Sequence, residues 1–313
     1  MFINQPRGPS RRHVLGGGLA GLGAMLILPS ITFAIPDTTL IRAISFDGDT
    51  VVAFTDQELL RISTAGKVER VPHALSVTAL SNHPASSGTF LATLKDGGLR
   101  RSLDGGRTWA NVGFGLPANQ ITALTMAALD ANLIYAALAE DGIWRSKDTG
   151  DTWEFVMDRP YLDGAEHDVL SLVSVGNPSG MGGFWLYAGT QAGLTRVPDC
   201  FCRWQDVTAG DAMDALAAGE TLPPPKPLPA GEAIVALALA PDAPKRIYAG
   251  LISGLWVSTD AGVNWSLVSS GAISALAVNS SDPLHLAAIR DGDLSISGDG
   301  GMTWTSTTNF KEI

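Results

Sequence analysis

Charge is scarce in this sequence, and what there is leans one way. Charged residues are 17% of the 313, with 21 Lys and Arg against 31 Asp and Glu, a formal charge of −10. That sign argues against a nucleic-acid partner held by phosphate contacts. Cysteine is scarcer still: Cys200 and Cys202 are the only two, too few for a disulfide framework. A C-x-C pair is read as a local staple or as two free thiols. Beyond residue 34 no stretch reaches the ~20 apolar residues of a membrane-spanning helix. Metal-binding patterns are missing too. Asp47-Gly48-Asp49 and Asp291-Gly292-Asp293 lack the other ligands of a calcium loop and read as tight turns. His73, His83, His167 and His285 are dispersed and read as ordinary surface residues. No cofactor and no metal are expected. The surplus lies elsewhere, in turn formers (35 Gly and 18 Pro) and in eight Trp. An apolar share of 45% rules out a disordered chain.

Residues 1–34 contain no Asp or Glu. Arg7, Arg11 and Arg12 precede an apolar, Gly-diluted run from Val14 to Ile31, and Thr32-Phe33-Ala34 supplies small residues for a cut. This is the layout of a secretory signal. Ser10-Arg11-Arg12-His13-Val14-Leu15 resembles the twin-arginine export motif. Cleavage near Ala34 would remove three arginines and leave the chain at −13. The expectation is a folded, acidic protein, periplasmic or extracellular.

The remainder repeats. Four segments fit S-x-D-x-G-x-[TN]-W without gaps: Ser102 to Trp109, Ser146 to Trp153, Ser258 to Trp265 and Ser297 to Trp304. Val197 to Trp204 is a decayed copy that keeps Asp199 and Trp204; Ile62 to Glu69 keeps only the Gly. Positions 64, 104, 148, 199, 260 and 299 are equivalent, spaced by 40, 44, 51, 61 and 39 residues. A period of that length suggests propeller blades. Each unit reads as four short strands separated by turn residues, as in Ile121–Met126, Leu133–Leu138, Gly142–Ser146 and Thr152–Val156. Runs apolar on both faces, such as Ile234 to Leu239, suit an inner strand between neighbouring blades. The box lies between the third and fourth strands. Its Asp (Asp104, Asp148, Asp199, Asp260, Asp299) can accept hydrogen bonds from its own turn. Its Trp (Trp109, Trp153, Trp204, Trp265, Trp304) can bury roughly 150–250 Å² between sheets.

The box resembles the Asp-box, or BNR, repeat family, over about residues 40–310. That family includes sialidases, sortilin-type receptors, some glycanases and the photosystem II assembly factors. The resemblance implies a β-propeller, with the boxes away from any active site. The expected fold is therefore all-β: a six-bladed propeller of four-stranded antiparallel blades. The blades fall at about 38–73, 74–117, 118–163, 167–208, 232–271 and 272–313, with a Pro-rich insertion over 209–231. Seven blades would require a hidden unit between Thr208 and Glu232, where Asp211–Glu220 reads as a short helix and Leu222–Pro229 as extended polyproline.

Function is read from two residue sets. Arg61, Arg101, Arg145 and Arg196 each precede a box, where the last two units have Val257 and Ile296. They are either long stems covering apolar surface or an arc of positive charge for an acidic partner. The turns between second and third strands carry Asp56, Asp96, Glu140, Asp141, Gln191, Ser253, Arg290 and Asp291. They should share one face with the loops between blades. A sialidase would need a unique nucleophilic Tyr. Tyr135, Tyr187 and Tyr248 instead repeat one strand position, and only Tyr161 stands outside the repeat. The expectation is an exported, non-enzymatic module that binds a protein partner or complex, similar to the photosystem II assembly factors. The alternative is an exo-acting glycoside hydrolase.

Overall fold

The computed structural model describes residues 40–306, except 84–85, 128–129, 131, 177–182 and 209–223. The signal segment, the helix expected over Asp211–Glu220 and the start of the polyproline stretch lie outside the described residues. Among the described residues the chain is all-β, without a helix.

Six four-stranded antiparallel sheets follow one another along the chain. The first is β1 (Ala43–Asp47), β2 (Thr50–Phe54), β3 (Glu58–Ile62) and β4 (Val68–Pro72). The second is β5 (Val77–Asn82), β6 (Phe90–Leu94), β7 (Leu99–Ser102) and β8 (Ala110–Val112). The third is β9 (Ile121–Met126), β10 (Ile134–Leu138), β11 (Gly142–Ser146) and β12 (Glu154–Met157). A two-stranded hairpin, β13 (Tyr161–Leu162) and β14 (Ala165–Glu166), intervenes. Then come β15 (Ser171–Val175), β16 (Trp185–Gly189), β17 (Leu194–Pro198) and β18 (Gln205–Asp206). The fifth sheet is β19 (Ala236–Ala238), β20 (Ile247–Leu251), β21 (Gly254–Ser258) and β22 (Ser266–Ser270). The sixth is β23 (Ile273–Val278), β24 (Leu286–Arg290), β25 (Asp293–Ser297) and β26 (Thr305–Ser306). Each first strand packs beside the first strand of the next sheet, and β23 returns to β1, so the sheets close into a ring. The fold is a six-bladed β-propeller.

The second strands are the core. β6, β10, β16 and β20 are buried along their whole length. Both their edges are hydrogen-bonded and both their faces meet a neighbouring blade. The first strands are less buried than their composition suggests. Of Ile234 to Leu239 only Ala236–Ala238 forms a strand, and Val235 is 38% exposed. The innermost strand has one edge unpaired, facing the axial opening. Outer strands such as β4 and β22 lie largely open to solvent.

Inter-blade packing uses the box tryptophans as wedges. Trp109 packs in the core shared by the first two blades, with its ring 5.6 Å from Phe54. Gly106 shows why the box needs glycine. Its φ is +87°, and a Cβ there would stand 2.6 Å from Leu59 Cδ2 of the preceding blade.

Candidate functional site

The four intact boxes share one hydrogen-bond pattern. The Ser hydroxyl donates to the Asp carboxylate (2.7–2.9 Å) and accepts from the Gly N–H (2.8–2.9 Å). The Thr or Asn N–H donates to one carboxylate oxygen (2.8–2.9 Å), and its side chain donates to the other (2.5–2.7 Å). The hydrogen bonds from Thr108, Thr152 and Thr303 hold the carboxyl groups of Asp104, Asp148 and Asp299 down at about 2. At Asp260 burial pushes upward but the hydrogen bonds outweigh it, and the pKa is lowered. Trp109, Trp153 and Trp265 donate their indole N–H to the box Gly carbonyl, whereas Trp304 donates to Ser269 Oγ of the fifth blade. Both oxygens of each carboxylate accept from the box's own residues, so the boxes hold turns.

The decayed fourth box is built differently. Cys200 and Cys202 are joined by a disulfide. Phe201 between them takes φ +52° and rests 5.6 Å from the Tyr135 ring, with the Arg145 guanidinium 5.5 Å from its own centroid. Trp204 donates to the Asp158 carbonyl. In the first blade the turn is shorter. Arg61 pairs with Glu69 as Arg101 pairs with Ala110, which puts Val68 where Trp109 stands.

The four arginines are half-buried or buried and are used inside the chain. Arg61 donates to the Gly105 carbonyl of the next blade's box and to Asp47 (2.8 and 2.7 Å). Arg101 reaches the Thr149 carbonyl and hydroxyl (2.9 and 2.6 Å) and Asp151. Arg145 pairs with Glu154 at 2.7 Å. Arg196, 5% exposed, lies 4.0 Å over the Trp185 ring and donates to the Tyr187 hydroxyl, which itself donates to Ala261 O of the fifth box. Arg61 and Arg101 clasp one blade to the next directly, whereas Arg145 meets the next blade at the Phe201 ring and Arg196 reaches it through the Tyr187 hydroxyl.

The second candidate set lies at the opposite ends of the third strands, with the loops between blades. Asp96 accepts from Gly98 N–H, and Asp141 accepts from the Trp144 indole at 2.7 Å. Glu140, at φ +59°, donates its N–H to Asp168. Asp291 accepts from Ala272 N–H; Arg290 donates to the Ser270 carbonyl and lies 5.1 Å over the Trp304 ring. Arg42 and Asp56 form an exposed pair at 2.9 Å on this face. The hairpin β13–β14 belongs here because it joins an outer strand to the next inner one. Its two-residue turn is Asp163-Gly164, both at positive φ. Arg159 ties its base to Glu166 and Asp168. Tyr161 on it is 68% exposed. Sequence reasoning singled out Tyr161 but not the hairpin; the Asp-Gly dipeptide was the available signal.

Along the axis the first strands of all six blades enclose a cavity of about 130 Å³, with Ser45, Asn82, Thr125 and Ser174 among its polar walls. The three repeated tyrosines are fully buried, as packing residues. Three of the four dispersed histidines are not surface residues: His83 is buried, and His73 and His285 are half-buried against Phe54 and Phe46. Among the described residues no cluster of His, Cys, Asp and Glu could hold a metal ion.

No family model and no curated protein sequence matches the chain. Solved structures do match its backbone. The likeness is one of fold. The GH74 enzyme of Niastella koreensis has a TM-score of 0.56 at 14% identity, and the GH74 xyloglucanase of Xanthomonas campestris 0.56 at 20%. In both cases 86% of this chain is covered, and it spans 45% of the enzyme's length. YCF48 bound to a D1 peptide has a TM-score of 0.50 at 17% identity, with 88% of this chain and 84% of that chain covered. Among the described residues no helix is long and apolar enough to cross a membrane.

Proposed function

We propose that the protein is an exported, non-enzymatic binding module that recognises a protein partner through the face built by the turns between second and third strands and the loops between blades. The observation that carries this reading is the hairpin β13–β14, an addition to the repeat that stands on that face with Tyr161 exposed. Aromatic residues with a polar tip are favoured at protein interfaces. On the opposite face the box carboxylates hold their own turns, and Arg61 and Arg101 reach the next blade. The match to a peptide-bound propeller of similar length supports the same reading.

A glycoside hydrolase needs an acid whose pKa is raised. Among the described residues each Asp or Glu that departs from its ordinary value is lowered, Asp47, Asp56 and Glu154 among them. The test is a pull-down from the host's cell envelope with wild type and with Tyr161→Ala plus Glu166→Lys. Loss of a discrete partner is expected. Hydrolysis of fluorogenic glycosides, abolished by one carboxylate substitution, would instead establish the enzyme. Export by the twin-arginine route is part of the proposal. N-terminal sequencing of the exported protein should begin after Ala34, and export should fail for Arg11→Lys with Arg12→Lys.

A further inference from the structure

The junctions between blades are not equivalent. Five of the six contain a box tryptophan: Trp109, Trp153, Trp204, Trp265 and Trp304, one for each successive pair. The sixth, where the last blade meets the first, has none among the described residues, because Val68 occupies the tryptophan position. That junction also lacks the arginine clasp, since the equivalent residue is Ile296. A cavity of about 230 Å³ lies at that junction, with Ile296 of the clasp position in its wall.

Its walls suit a flat ring. Val51, Ile62 and Ile296 line it from both blades, and the His285 ring, edge-on to Phe46, adds an aromatic side. Its volume exceeds the ~150 Å³ that admits benzene in a protein core, leaving room for a second fused ring. Polar acceptors are present as well. In three of the four intact boxes an indole N–H finds the Gly carbonyl at 2.8–2.9 Å. At this junction Asp49 and Thr64 line the cavity, and only Oδ1 of Asp49 accepts from Asn279. Asp49 and Gly298 are exposed at its mouth, so a ring can enter from outside.

We propose that this cavity is a binding site for an aromatic side chain, tryptophan foremost, presented by a partner polypeptide. It takes the place of the wedge that the first blade lacks. The proposal rests on the reading of the protein as a binding module and adds to it the chemistry of one contact.

The test is ¹⁹F NMR of 5-fluoroindole, backed by N-acetyl-tryptophanamide, titrated against the full chain. Saturable binding at one site is expected, with a Kd of about 1 mM. Ile296→Trp should fill the cavity from within, weaken the probe at least tenfold and leave the melting temperature unchanged or raised. Should Ile296→Trp fail to fold, Gly298→Leu serves instead, because a Cβ at Gly298 meets open space. Absence of saturable binding, or binding indifferent to both variants, would overturn the proposal. A chain ending at Ser306 that binds the probe tenfold more tightly would make its own terminus the occupant and overturn the partner assignment. Self-association reversed by indole would do the same in favour of a second copy. If a native partner still binds Ile296→Trp with full affinity, this site is overturned while the binding-module reading stands.

Discussion

Tyr135, Tyr187 and Tyr248 stand at one register position in three blades, all fully buried, yet their hydroxyls meet different fates. Tyr187 Oη donates to Ala261 O at 2.8 Å and accepts from Arg196 at 3.2 Å. Tyr248 Oη donates to Pro283 O at 2.9 Å and accepts from Arg246 at 3.4 Å, a guanidinium less buried than that of Arg196. Tyr135 Oη makes no hydrogen bond, because the decayed box opposite presents Phe201 and a disulfide instead of a box carbonyl. Burial pushes the Tyr135 pKa up, against the pull of the Arg145 charge. The same substitution, Tyr→Phe, therefore removes three different things. At Tyr187 it strands a half-buried carbonyl and a buried guanidinium N–H, at a cost of about 1–3 kcal/mol. At Tyr248 water can replace part of the loss, and about 1 kcal/mol is expected. At Tyr135 it relieves a buried hydroxyl without a partner, so the change should lie within about 0.5 kcal/mol of zero or stabilise. Urea unfolding followed by tryptophan fluorescence, with m-values compared, measures all three. If Tyr135→Phe costs as much as Tyr187→Phe, the reasoning fails, because register position and not the partner would then set the cost.

Other consequences are as direct. The carboxyl groups of Asp104, Asp148 and Asp299 sit at about 2 in the folded chain, below their unfolded value near 3.9, so their contribution is fully present above about pH 4 and is lost as pH falls toward 2. Carboxyl ¹³C titration should find midpoints near 2; values above 3.5 would refute the turn geometry. Arg101→Met should destabilise by roughly 1–2 kcal/mol through the lost contacts to Thr149. Unchanged stability with lost partner binding would return the arginines to a docking role. The Cys200–Cys202 ring constrains so little chain that its reduction should cost about 1–2 kcal/mol, read from unfolding with and without dithiothreitol. In hydrogen exchange β1 and β23 should open before β9 and β15, because their junction lacks both wedge and clasp.

The architecture was legible because its signal repeats. One weak turn pattern becomes strong when Asp104, Asp148, Asp260 and Asp299 recur with the same Ser, Gly and Trp around them. Strand limits were nearly as clear where turn residues flank an apolar run, as in β9 and β11. What escaped was set by tertiary surroundings. Composition alone does not say that Arg61 reaches Gly105 in another blade, since the pairing spans 44 residues. The burial of His83 depends on packing and not on neighbours in sequence. The hairpin β13–β14 was hidden because a single Asp-Gly turn lacks the redundancy that made the boxes visible.

The sheets of this ring are each made from one continuous piece of chain, and none borrows a strand from the far end. Closure therefore waits on synthesis. Ile44, Phe46, Leu60 and Ile62 leave the ribosome early, but their cover, Ala287, Ile289 and Leu294, emerges some 230 residues later. Through that interval the first blade carries an uncovered apolar flank. A truncated product would keep it permanently, and a chaperone binding there would be able to distinguish finished molecules from unfinished ones.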